Sequence, residues 1–226
     1  MIEGGGGQDR FTLVARATGL TRLDMGDGKD VVKNRGVMVV DDAIDLGGGD
    51  DLLETNLYLQ AEALIGGEGD DRLRLTNKVA IDRFQVKTTD VNPGYRISGF
   101  ETIEQINGQW MLEGDHSKSD LIIYGGTTTI PLDSSFNFGL TVQSFDVEDP
   151  SEGRLSLMLE GDLRKRYPVL QAASRKQLGA LPNRIEVTLP DGTEQELPGL
   201  GQSVVAANGT SITLKQVGSG LILNLA

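Results

Sequence analysis

Four aspartates, Asp9, Asp30, Asp51 and Asp71, recur at intervals of 21, 21 and 20 residues. Each closes the same short pattern, x-G-x-G-x-D-x-U with U apolar: Gly4–Phe11, Met25–Val32, Leu46–Leu53 and Gly66–Leu73. The second and fourth glycines and the aspartate are present in all four copies, whereas Met25 and Leu46 replace the first glycine in two of them. Asp27, Asp50 and Asp70 add further carboxylates to the same segments. Two kinds of chemistry suit such residues. A carboxylate beside glycines satisfies the backbone donors of a tight turn. Carboxylates repeated at one place along a stack also gather oxygen atoms, which are the ligands hard cations take.

The elements that position these acids follow from the period. About 20 residues is too short for two helices and a turn, and it suits one coil of a β-solenoid. Glycines at the corner reach positive φ and let stacked backbones approach closely. Phe11, Val32, Leu53 and Leu73 align in one apolar column, and Leu23, Ile44 and Ile65 are expected in a second, just before the next corner. Both columns should face inward, with neighbouring coils about 4.8 Å apart. The expected fold class is all-β: a right-handed parallel β-solenoid of roughly 21-residue coils, ending in a hairpin-rich C-terminal cap. Hairpins are expected from Ile185–Leu189 through Pro190-Asp191-Gly192 to Leu197, and from Ser211–Lys215 through Gly218-Ser219-Gly220 to Leu225. A division into a corner-bearing solenoid at 1–147 and a C-terminal β section at 148–226 is expected, within what is also readable as one continuous domain.

The corner resembles the G-G-x-G-x-D-x-U-x nonapeptide of the RTX proteins. That resemblance implies calcium held between stacked corners by aspartate carboxylates and backbone carbonyls. It places Asp9, Asp30, Asp51 and Asp71 at the matched ligand positions, with Asp27, Asp50 and Asp70 nearby, and four corners imply three sites between them. RTX rolls usually carry two nonapeptides per coil, and this chain has one, so a metal-free corner stays open as the other reading. A second resemblance lies further along, in Ile97-Ser98-Gly99-Phe100-Glu101-Thr102-Ile103 followed by Gly108-Gln109-Trp110-Met111-Leu112-Glu113-Gly114. It is similar to an element of bacterial autotransporter passengers and related large surface β-helix proteins. Trp110, the only tryptophan, is expected in the core, with a ligand-stacking platform as the functional alternative.

Composition narrows the function classes. The net charge of -12 argues against nucleic acid and against an anionic membrane surface as partners. Residues 1–116 carry 21 acidic and 12 basic side chains, net -9, which leaves -3 for the remainder. Bound calcium would neutralise part of this excess in the half that carries the corners. The chain has no cysteine, so thiolate metal sites and disulfides are excluded. No apolar run approaches a membrane span. The Gly-rich corner at the very start reads as a section of a longer solenoid.

Catalysis finds little support. His116 is the only histidine and, in Asp115-His116-Ser117-Lys118, is expected in a surface loop. Neither a nucleophile elbow nor a phosphate-binding loop occurs. Arg72, Arg74, Lys78 and Arg83 lie near acids and would suit the cationic groups of a polysaccharide lyase, but a solvated charged face is the reading favoured for them. Together the two resemblances imply a non-catalytic fragment of an exported bacterial surface protein, an autotransporter-like or RTX-like adhesin at the extracellular surface whose corners take calcium ions. A host or bacterial receptor or a glycan would be its partner. The alternatives are a polysaccharide-degrading β-helix enzyme and a calcium-dependent folding or surface-layer module of a type I secreted protein.

Overall fold

The computed structural model describes residues 1–55, 58–76, 84–86, 96–112, 114–133 and 139–226, and strands dominate it. Val79–Ile81, the turn Asn92-Pro93-Gly94 and the cations Lys78 and Arg83 lie outside the described residues. The chain divides into two compact units, Met1–Gln109 and Trp110–Ala226.

In the first unit the chain passes repeatedly through short strands. The first repeat holds β1 (Ile2–Glu3), β2 (Arg10–Leu13) and β3 (Arg16–Leu20), and the second β4 (Leu23–Asp24), β5 (Val31–Asn34) and β6 (Val37–Val40). The third holds β7 (Ala43–Asp45), β8 (Leu52–Thr55) and β9 (Tyr58–Gln60), and the fourth β10 (Ala63–Ile65), β11 (Arg72–Thr76) and β12 (Phe84–Val86). The fifth begins with β13 (Arg96–Ser98) and β14 (Thr102–Asn107). Equivalent strands of successive repeats pair in parallel, giving the orders β1-β4-β7-β10-β13, β2-β5-β8-β11-β14 and β3-β6-β9.

The register follows the sequence period. Phe11 lies opposite Val32, Val32 opposite Leu53, Leu53 opposite Leu73 and Leu73 opposite Ile103. Val32, Leu53, Leu73 and Ile103 are buried. Each such side chain withdrawn from water is worth about 1.5–3 kcal/mol, so this column holds the repeats together. The second column runs Leu23, Ile44, Leu64, Ile97. Ile65, expected in it, instead lies opposite Asp45, because the fourth copy arrives one residue early. Leu64 is the residue the core takes, and it is buried.

On the alternate face of the β2-β5-β8-β11-β14 sheet the same register stacks Lys33, Glu54, Arg74 and Glu104. Their charges alternate along the column. Lys33 reaches Glu54 at 3.2 Å, Arg74 reaches Glu54 at 3.8 Å and Glu104 at 2.6 Å, and Arg72 reaches Glu104 at 3.5 Å.

The second unit contains β15 (Gln109–Leu112), which begins at the boundary, and the longer strands β16 (Gly114–Ile123), β17 (Gly126–Asp133), β18 (Leu140–Val147), β19 (Gly153–Glu160) and β20 (Arg166–Gln171). A short 3-10 turn at Arg175–Gln177 precedes β21 (Arg184–Thr188), β22 (Glu194–Glu196), β23 (Ser203–Val205), β24 (Ser211–Val217) and β25 (Gly220–Leu225). β17, β19 and β21 pair in parallel and align Ile130, Leu157 and Val187, all buried. The pairing then reverses: β21 with β22, β23 with β24, β24 with β25 and β25 with β20 are antiparallel. The Asp191 carboxylate accepts the Thr193 amide in the first of these hairpins, at 2.8 Å. Trp110 is buried, as its place in the motif suggests.

His116 corrects the expectation of a surface loop. It sits in β16, opposite Val142, and is only 4% exposed. The polar run around it is a strand whose register shifts between His116 and Asp120, so the usual alternation of apolar and polar residues is broken there.

Candidate functional site: the carboxylate column

The corners build their site from the backbone outward. The third corner residues, Gly6, Asp27, Gly48 and Glu68, bridge one another in parallel, so the corners stack directly. Two positions show why glycine is required. Gly26 has φ of 88° and Gly49 of 129°, a region costly for other residues. A Cβ on Gly26 would also overlap the Gly5 carbonyl oxygen, and one on Gly49 the Gly28 carbonyl oxygen.

This tight stacking fixes the aspartates. The Asp9 amide donates to Asp30 Oδ1 at 2.7 Å, the Asp30 amide to Asp51 Oδ1 at 2.7 Å, and the Asp51 amide to Asp71 Oδ1 at 2.9 Å. The Asp71 amide continues the series by donating to Glu101 Oε2 at 2.9 Å. Asp30, Asp51, Asp71 and Glu101 therefore each bind the main chain of the preceding repeat through one oxygen. A second oxygen, Oδ2 of Asp9, Asp30, Asp51 and Asp71, is buried without a hydrogen-bond partner. Asp30, Asp51 and Asp71 are themselves buried.

Withdrawal from water and neighbouring like charge oppose ionisation at two places in the column, Asp51 and Asp71. Burial raises the Asp51 carboxyl above the usual carboxylate range, and the charges of Asp30 and Asp50 add to this. Burial pushes Asp71 up to about 6, with repulsion from Asp51, Glu101 and Asp50 in the same direction. The amide hydrogen bonds work against both shifts.

The other acids of the pattern do not join the column. Asp27, Asp50 and Asp70 are exposed. The Asp70 amide donates to Asp50 Oδ1 at 3.2 Å, and Lys29 lies 3.9 Å from Asp50. Arg72 and Arg74, read as candidate lyase cations, are held by Glu104 and Glu54 in the alternating charge column.

The donor set suits a hard cation. Each level links aspartates of consecutive repeats through an amide and leaves a buried carboxylate oxygen without a partner, and at Gly4 and Gly66 a carbonyl of the next repeat lies beside the Asp9 and Asp71 side chains. No three His, Cys, Asp or Glu side chains converge on one point among the described residues. A cation in the column would thus draw the rest of its shell from main-chain carbonyls.

Glu101 is the member that the aspartate spacing does not reveal. Thr102 lies opposite Arg72, which places Glu101 at the position of a fifth aspartate. A signal is present all the same: Leu64-Ile65-Gly66 and Ile97-Ser98-Gly99 each precede an acid that is followed, after one residue, by an apolar residue. No protein-family model, curated protein or solved structure matches the chain.

Proposed function

We propose that this chain is a non-catalytic section of an exported bacterial surface protein, a right-handed parallel β-solenoid whose corners are stabilised by calcium. The observation that supports the reading above all others is the set of four buried aspartate oxygens without donors, stacked in a column of like charge. Bound calcium would supply the positive charge that the column needs, with Asp9, Asp30, Asp51 and Asp71 as its carboxylate ligands. A metal that binds the folded form alone stabilises it, so folding would be coupled to the calcium-rich exterior. The antiparallel strands of the C-terminal section would serve as a cap.

The adhesin reading is favoured over a polysaccharide-degrading enzyme because Arg72 and Arg74 are engaged by carboxylates. Among the described residues no helix is long and apolar enough to cross a membrane, which says nothing of a β-barrel. A surface receptor or a glycan is the partner class this reading implies.

Calcium titration by calorimetry, with melting in calcium and in chelator, tests the metal. Binding heat together with a rise in melting temperature is expected, and the absence of both would remove calcium from the reading. A glycan panel assayed for binding and for cleavage products tests the rest. Binding without turnover is expected, and turnover would replace the adhesin with the enzyme.

A further inference from the structure

The column does not stop at the fourth aspartate. Five residue steps separate Gly66 from Asp71, but only two separate the equivalent Gly99 from Glu101. The fifth corner is thus shorter by three residues. Its acid is longer by one methylene, and it still accepts the Asp71 amide, at 2.9 Å. A longer side chain on a shorter corner restores the reach of the ladder.

Two further observations point to a ligand at this level. Asp71 is 0% exposed, and its Oδ2 is buried with no hydrogen-bond partner although its Oδ1 accepts the Asp51 amide. Gly66 has no side chain, and a Cβ placed there would overlap the Gly99 carbonyl oxygen and crowd the Asp71 side chain. The Gly99 carbonyl and the Asp71 side chain therefore both approach the Gly66 α-carbon. The Gly99 carbonyl and the Asp71 β-carbon thus flank Gly66, the Glu101 carboxylate reaches the Asp71 amide, and no donor satisfies the Asp71 Oδ2. That combination suits a hard divalent cation.

We propose that Asp71, Glu101 and the Gly99 carbonyl form a further calcium site, so that the column holds four ions rather than the three expected between four Gly/Asp corners. The inference rests on the calcium reading of the column. On this view the Gly99-Phe100-Glu101 segment ends the run of corners while keeping the last aspartate paired with a second carboxylate.

The number of calcium ions bound by the full chain, measured by equilibrium dialysis and calorimetry, tests the site. The wild type should bind four equivalents and Glu101→Gln three. Glutamine keeps a carbonyl oxygen for the Asp71 amide and removes a charge that repels Asp71, so in chelator circular dichroism should match the wild type and melting should come no lower. Asp71→Asn, which belongs to two levels, should lose two equivalents. Three equivalents in the wild type, or an unchanged count in Glu101→Gln, would overturn this site and leave the calcium reading standing. No calcium bound by the wild type would overturn both. If Glu101→Gln fails to fold, the wild-type count alone decides between four and three.

Discussion

Asp71 concentrates the problem that a buried acid column poses for folding. Its carboxyl is raised from 3.8 to about 6, so between those values the folded chain holds a proton that the unfolded chain releases. Stability contributed by this group therefore falls as pH rises through that window, and the penalty is complete above it. In chelator, the wild type should lose stability relative to Asp71→Asn as pH goes from about 4 to about 7. Taking the difference between the two proteins removes the opposite trend from groups such as Asp149, whose carboxyl the Ser151 hydroxyl and amide hold below the usual range. Near neutral pH in chelator, Asp71→Asn should be the more stable by on the order of 1–3 kcal/mol, because the neutral amide removes a buried unpaired charge. Saturating calcium should reverse the order, because the variant loses a charged ligand. Urea melts across this pH range check both signs, and identical pH profiles for the two proteins would show that Asp71 carries no such burden.

Among the elements, the corner is the part most sensitive to a single methyl group. Gly49 combines positive φ with contact against the Gly28 carbonyl, whereas a Cβ on its neighbour Gly48 would meet only the Asp27 carboxylate at an ordinary 3.4 Å. Gly49→Ala should therefore cost about 3 kcal/mol or more, from strain and displaced backbone together. Gly48→Ala should stay within about 0.5 kcal/mol of the wild type. Chemical denaturation of the two variants side by side separates a stacked corner from a merely flexible one. The charge column makes a milder claim. Glu104 is only 5% exposed and serves both Arg72 and Arg74, so Glu104→Gln should cost about 1 kcal/mol or more, a difference that urea melts of the two proteins check.

These elements also show what the sequence discloses and what it hides. Gly26 and Gly49 are readable because stacking leaves no room for a side chain at those places, and the period then predicts the pairing of Val32 with Leu53. Ile65 is easily mistaken for Leu64 because two adjacent apolar residues look alike when a repeat shortens by one. Glu101 escapes because Gly99 follows Gly66 by 33 residues rather than about 20, and the shorter corner then puts the acid 30 residues after Asp71 while the register is preserved. His116 escapes because Asp-His-Ser-Lys has the composition of a turn, although it lies in a strand with His116 and Ser119 buried.

At the scale of the molecule, the two units bury their cores by different means. In Met1–Gln109 the apolar columns run beside a stack of acids, so part of the packing opposes the charge that it encloses. In Trp110–Ala226 the aligned side chains Ile130, Leu157 and Val187 accompany strands of up to ten residues, and antiparallel pairs close the sheets. The orphaned carboxylate oxygens found among the described residues all belong to the first unit. Calcium dependence should then be local. Hydrogen exchange followed by mass spectrometry should show chelator accelerating amides around residues 9–11, 30–34, 51–55 and 71–75, while strands such as β19 and β24 exchange at the same rate with and without the ion. The corner amides are informative because the Asp30 and Asp51 amides donate to the carboxylates themselves, so loosening the column frees them directly. Uniform acceleration across both units would mean that the ion stabilises the chain as one cooperative block. A response confined to the corners would instead make the acid column a local device, with a second unit whose apolar packing is sufficient without the metal.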